Sequence, residues 1–153
     1  MANTRIFEAG DMDSWKHWEF SHPSLKQATP GKVMLGERLG LCGMEVSLNF
    51  FPPGAAMPFA HKHREHEELY VFLRGRGEFK VDDQLFAVKA GSCVRVPPAG
   101  SRAWRCVGDE PLVYMVVQAS AAGSVRGISD GSVTEHPVDW SVSGAEFKAA
   151  SDA

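Results

Sequence analysis

The chain has 153 residues, 44% of them hydrophobic and 23% charged, with a formal net charge of -3. That is room for one domain with a real core, and it provides no basic field of the kind that gathers nucleic acid or anionic lipid. No apolar run approaches the roughly eighteen residues of a membrane span, and the opening MANTRIFEAGDMDSWKHWEF lacks a signal-peptide core, so a soluble cytoplasmic protein is expected. Cys42, Cys93 and Cys106 are odd in number and show no C-x-x-C spacing. They read as buried, reduced thiols, not as a disulfide framework or a thiolate zinc site.

Residues 1–30 read as an N-terminal extension. Within it Trp15 and Trp18 have the spacing of one helical turn that could dock on the domain or on a partner subunit. Residues 31–118 form the predicted domain, a series of short β-type runs with Gly and Pro between them. In the first, Met44, Val46, Leu48 and Phe50 alternate with Glu45, Ser47 and Asn49, the period-2 pattern of a strand with one packed face, and Pro52-Pro53-Gly54 ends it. Further strands are predicted at Met57–His63, Glu68–Leu73, Gly77–Val81, Leu85–Val88, Ser92–Val96, Arg102–Val107 and Leu112–Gln118. Asp82-Asp83-Gln84 suits a tight hairpin, because Asp tolerates turn geometry. No amphipathic helix of ten residues or more interrupts this region, and closing its strands into a barrel would remove exposed edges. Residues 119–153, rich in Ala, Ser and Gly, read as a C-terminal extension in which His136–Trp140 packs back on the domain and order weakens after Ser141.

The stretch that carries chemistry runs from Gly54 to Gly75. On a strand, His61 and His63 project from one face, so both imidazoles can reach one point inside the barrel. Glu68 opens the next strand after a short turn and could complete a site of two histidines and one carboxylate with coordination positions left open. The competing reading is a charged, solvated hairpin crossing, since H-x-H alone is a weak motif. Phe59 on the same face and the apolar run Leu69–Leu73 argue instead for placement within strands. Glu67 and His66 are the alternative ligands if the turn is shorter or folds inward. Phe59, Phe50, Tyr70, Phe72 and Trp104 are the candidate pocket walls. His17, His22 and His136 have no partner at ligand spacing and read as surface residues. No G-x-S-x-G, phosphate-cradling loop or zinc-finger spacing is present.

These motifs resemble those of the cupins, specifically the small single-domain type. The family's first motif, G-x5-H-x-H-x3-4-E-x6-G, is matched at His61, His63, Glu68 and Gly75, with one extra residue after Gly54. The second, G-x5-P-x-G-x2-H-x3-N, is recognisable from Gly91 through Pro97 and Gly100 to Cys106. The resemblance implies an all-β jelly-roll barrel, usually dimeric, holding a divalent metal on two histidines, a glutamate and a histidine of the second motif. At that last position this chain has Arg102, which stays protonated and offers a metal no lone pair.

Arg102 therefore has two principal readings. If a metal sits on His61, His63 and Glu68, the guanidinium could grip a carboxylate or phosphate of the ligand. If none does, it could pair with Glu68 and leave a metal-free binding pocket; a third reading points it outward. The first functional expectation is thus a cupin with iron, manganese, nickel or zinc. It would act on a small anionic molecule as a dioxygenase, isomerase or decarboxylase, with Arg102, Phe59, Tyr70 and Trp104 contacting that molecule. The second is a non-catalytic cupin that binds a sugar or organic acid over a degenerate or empty metal site. The third is an interaction or dimerisation module.

Overall fold

Turn residues and alternating side chains divide the chain into short strands, and the computed structural model describes residues 4–23 and 25–122. Its strands are β1 (Glu19–Phe20), β2 (Thr29–Pro30), β3 (Lys32–Met34), β4 (Met44–Phe51), β5 (His66–Arg74), β6 (Arg76–Val81), β7 (Gln84–Lys89), β8 (Cys93–Val96), β9 (Arg102–Cys106) and β10 (Leu112–Ser120). One helical turn, α1 (Gly36–Leu39), lies between β3 and β4, and a 3-10 turn spans Ser14–His17. Strands β3-β4-β10-β5-β8 form one sheet and β7-β6-β9 a second, with β1 and β2 as a separate ribbon. All of these pairings are antiparallel. The architecture is an all-β jelly roll, whose last strand runs two residues past the expected boundary at 118.

Local chemistry sets the corners. Asp82 adopts a left-handed φ of 50° in the two-residue loop between the paired Val81 and Gln84. Its carboxylate accepts a hydrogen bond from the Ser101 amide at 3.0 Å, which ties the hairpin to the start of β9. Gly75 turns the chain from β5 into β6 at φ 82°, where a Cβ would stand 2.2 Å from the Pro111 carbonyl oxygen, so only glycine fits.

The two sheets meet over an aromatic core. Trp104 of β9 lies nearly parallel to Phe79 of β6, with ring planes 9° apart, while Tyr70 of β5 meets Phe79 edge-on at a centroid distance of 4.7 Å. The indole N–H of Trp104 donates to the Tyr114 hydroxyl at 2.8 Å, so both buried polar atoms are satisfied. Leu112, Val96 and Val88 complete this end of the fold.

Strand β4 departs from the ordinary rule. Its polar residues Ser47 and Asn49 are buried, whereas Met44 on the opposite face is 49% exposed. The apolar face of β4 looks outward, and among the described residues it is covered toward its far end, where Trp15 packs with Phe50 and Val113 and Leu48 lies beside them. The 3-10 turn thus docks the N-terminal segment on the domain, as one of the sequence readings anticipated, and the Trp15 indole donates to the Gly10 carbonyl at 3.2 Å.

Two expectations are corrected. Met57–His63 is not a strand: the chain touches β9 through isolated bridges, Ala56 with Arg105 just before this segment and His61 with Arg102 within it. Pro58, which has no amide hydrogen, interrupts the ladder between them. Of the cysteines only Cys106 is buried; Cys42 and Cys93 are exposed, because both sit beside turns at strand starts. The expectations for His136–Trp140 and for weakening order after Ser141 lie outside the described residues. No helix among the described residues is long and apolar enough to cross a membrane.

Trp15→Ala should lower the unfolding free energy by about 3 kcal/mol, the usual cost of truncating a buried large aromatic. Urea denaturation checks this, and an unchanged midpoint would mean that the N-terminal segment adds nothing to the fold.

Candidate metal centre

Strand alternation and one irregular segment converge on a cavity of about 440 Å³ between the sheets. From β4 it receives Glu45, Ser47, Asn49 and Phe51, from β5 Glu68 and Tyr70, and from β9 Trp104. His61 and His63 reach it from the segment beside β9, held by backbone pairing in place of a strand. His61 exchanges both amide hydrogen bonds with Arg102, at 3.1 and 2.9 Å, and the His63 amide donates to the Pro98 carbonyl at 3.0 Å. The alternation expected of a strand is therefore retained at these two residues, and their rings lie 5.5 Å apart.

The potential ligand atoms of His61, His63 and Glu68 all lie within 4.8 Å of one another. His63 Nε2 stands 3.0 Å from Glu68 Oε1. That is the distance of a direct hydrogen bond, and two ligand atoms each roughly 2.1 Å from one ion at a right angle would stand about equally far apart, so the same arrangement is compatible with a shared cation. His61 Nδ1 is buried and has no hydrogen-bond partner, a polar atom left to be satisfied by something other than the protein groups described. Burial, with the nearby Arg102 charge, holds the His61 pKa below its ordinary value. The imidazole is therefore neutral, the form that ligates metals. Two imidazoles and one carboxylate form a donor set suited to a divalent transition metal.

The other carboxylate oxygen is differently placed. Glu68 Oε2 accepts hydrogen bonds from the Tyr70 hydroxyl at 2.5 Å, from Arg102 Nε at 2.9 Å and from Arg102 Nη2 at 2.6 Å. Burial alone would raise the Glu68 pKa. The Tyr70 and Arg102 hydrogen bonds, with the guanidinium charge, outweigh it and keep the carboxyl below its ordinary range. Burial and the adjacent Glu68 charge push the Tyr70 phenol far upward, so it remains a donor.

Of the residues expected to contact a small molecule, Phe59, Tyr70 and Trp104 line the cavity. Arg102 does not: it is 0% exposed and lies behind Glu68, with Nη1 donating to the Gly100 carbonyl at 2.9 Å. Its guanidinium is thus engaged with protein groups, the pairing with Glu68 that the second reading described. Phe50 faces outward under Trp15, and Phe72 lies in the aromatic core, so neither is a cavity wall. Glu67 pairs instead with Arg95 on the outer face of the sheet, and His66 is outside the cluster. Sequence reasoning missed Lys32, Glu45, Ser47 and Asn49 as cavity residues, since a polar strand face reads the same whether it meets water or a cavity.

The family profile described as Cupin domain matches residues 48–118. A cupin protein from Bacteroides fragilis is 32% identical across 76% of this chain and 97% of its own, with a TM-score of 0.64. The chain is a cupin. Among other cupin-like structures, a protein provisionally named a sugar phosphate isomerase, from Acidithiobacillus ferrooxidans, is 27% identical over 57% of each chain, with a TM-score of 0.53. An uncharacterized protein of Methanocaldococcus jannaschii is 35% identical over 60 residues, 39% of the cupin described here. The match spans about half of that curated relative, 48% of its length.

The Glu68–Arg102 pair should dominate the stability of the cavity floor. Arg102→Met is expected to destabilise the fold by about 3 kcal/mol or more by leaving a buried carboxylate without its permanent counterion, and Glu68→Gln with Arg102→Met by less than the sum of the single changes. Denaturant titration of the four proteins checks this, and additivity would show that the pair is not coupled. The Glu68 pKa is depressed on folding, so its contribution is present above its ordinary value of 4.5 and lost as pH falls through the lower folded value. The stability gap between wild type and Glu68→Gln should accordingly narrow in that acid window.

Proposed function

We propose that this cupin binds a small molecule in the cavity between its sheets, above a divalent metal held by His61, His63 and Glu68. The observation that supports this most directly is the buried, unpartnered Nδ1 of His61 beside the close His63–Glu68 contact. A metal there would supply Lewis-acid chemistry to an oxygen of the bound molecule. The chain's own residues do the rest. Tyr70 and Arg102 hold Oε2 of Glu68, so that the carboxylate presents Oε1 to the cavity. Phe51, Phe59 and Trp104 give the bound molecule apolar walls, and Ser47 and Asn49 give it polar ones. The Asn49 side-chain N–H groups are directed at Ser47 and at the Tyr114 carbonyl, which leaves its Oδ1 to accept from a ligand.

Which reaction follows is a finer reading. Isomerisation of a small oxygenated molecule is the one for which the name of the Acidithiobacillus relative gives support. The second reading, a metal-free binding pocket, is favoured by the Glu68–Arg102 pair, in which a permanent cation already balances the carboxylate.

Elemental analysis of untagged protein separates the two. We expect near-stoichiometric iron, manganese, nickel or zinc, lost in His61→Ala and in His63→Ala. Less than about a tenth of an equivalent of any such metal, before and after incubation with these ions, would overturn the metal site and leave the metal-free pocket.

A further inference from the structure

The cavity contains a cation that neither the cluster nor the aromatic core uses. Lys32 lies on β3, directly opposite Asn49 of β4, and its side chain lines the same space as His61, His63 and Glu68. It is half-buried, and among the described residues it makes no ion pair. Its ammonium lies over the Phe20 ring, 5.7 Å from the centroid.

Neither of the two acids that act on Lys32 forms an ion pair with it. Glu45 of β4 uses Oε1 to accept from the amides of Gly36 and Val46, at 2.7 and 2.9 Å, which fastens α1 to the sheet. Glu68 of β5 is held by Arg102 and Tyr70. Both still act on Lys32 through space: burial lowers its pKa, and the two carboxylates pull it back upward. A desolvated ammonium with no counterion at contact distance gains most from a ligand that brings one.

We propose that Lys32 is the anion-contacting residue of this cavity, and that the ligand is a small monocarboxylate with an apolar body, held between the Lys32 ammonium and the His61–His63–Glu68 cluster. This rests on the reading of the cavity as the ligand site. With Glu68 already balanced by Arg102, one further ammonium suits a single negative charge better than a phosphate dianion, which the nearby carboxylates would repel about twice as strongly. The body of the ligand meets the aromatic faces of Phe51, Phe59 and Trp104. Lys32 is suited to this as a compact charge on a flexible stem, which can follow the carboxylate.

The test uses benzoate and its neutral counterpart benzamide, titrated into the purified full chain and followed by ligand-observed NMR. Wild type is expected to bind benzoate at least about tenfold more tightly than benzamide, the size of one charge-assisted contact. Lys32→Met should abolish that preference while still binding benzamide, and Lys32→Arg should retain much of it. A second measurement needs no variant: the Lys32 side-chain carbon resonance of the wild type should shift with benzoate and not with benzamide. Equal binding of the two probes by wild type would overturn the role of Lys32 and leave the cavity as a ligand site. So would a benzoate preference that survives in Lys32→Met, or a Lys32 resonance that benzoate does not move. Binding of neither probe would overturn the cavity reading and the Lys32 proposal together.

Discussion

The buried ion pair between Glu68 and Arg102 is the constraint on which the cavity floor depends. A carboxylate at that depth would be strongly penalised without a partner, and the guanidinium supplies a charge that no change of pH removes. The pair also divides the two oxygens of one side chain between two tasks. Oε2 faces the protein and receives Tyr70 and Arg102, whereas Oε1 faces His63 and the cavity. Because three hydrogen bonds from two residues fix Oε2, the direction of Oε1 is set before anything binds, which lowers the reorganisation that binding would require. The same pair bridges β9 to β5, so the orientation of the candidate ligand is coupled to the packing of the two sheets.

The floor in turn explains why the interior is arranged in two parts. Below it, Phe72, Phe79, Trp104 and Tyr114 pack together in the apolar core between the sheets. Above it, the sheets stay apart and β4 turns its polar side chains inward. Such an inversion is tolerable only because the groups find partners or reach the cavity: Asn49 bonds Ser47 and the Tyr114 carbonyl, and Glu45 caps backbone amides. The apolar face of β4 is then left on the outside, which is why Trp15 and its neighbours are needed over Phe50 and Val113.

The punctuation of the chain made most strands legible, since β-type runs between Gly, Pro and Asp turns need no knowledge of tertiary contacts. His61, His63 and Glu68 were legible as well, through spacing and through their likeness to a known motif. Three things were not. Pro58 breaks the ladder where alternation alone predicts a strand, because alternation ignores the missing amide hydrogen. The facing of β4 was hidden because its pattern is the same whether the polar side faces water or a cavity. The direction of Arg102 depends on Glu68, thirty-four positions earlier; no local pattern reports a contact of that span.

Lys32 and Arg102 show how two cations in one interior come to have different tasks. Arg102 offers a planar fork of donors, and the structure matches it with Glu68 Oε2 and the Gly100 carbonyl, a set that a lysine could not satisfy. Lys32 sits on the short strand at the sheet edge, where its ammonium lies over the Phe20 ring at the cavity wall and, among the described residues, makes no ion pair with a carboxylate. The guanidinium at the second-motif position therefore does not bring its charge to a ligand. Glu68 is paired with Arg102 and not with Lys32, so of the two cations it is Lys32 that lines the open space.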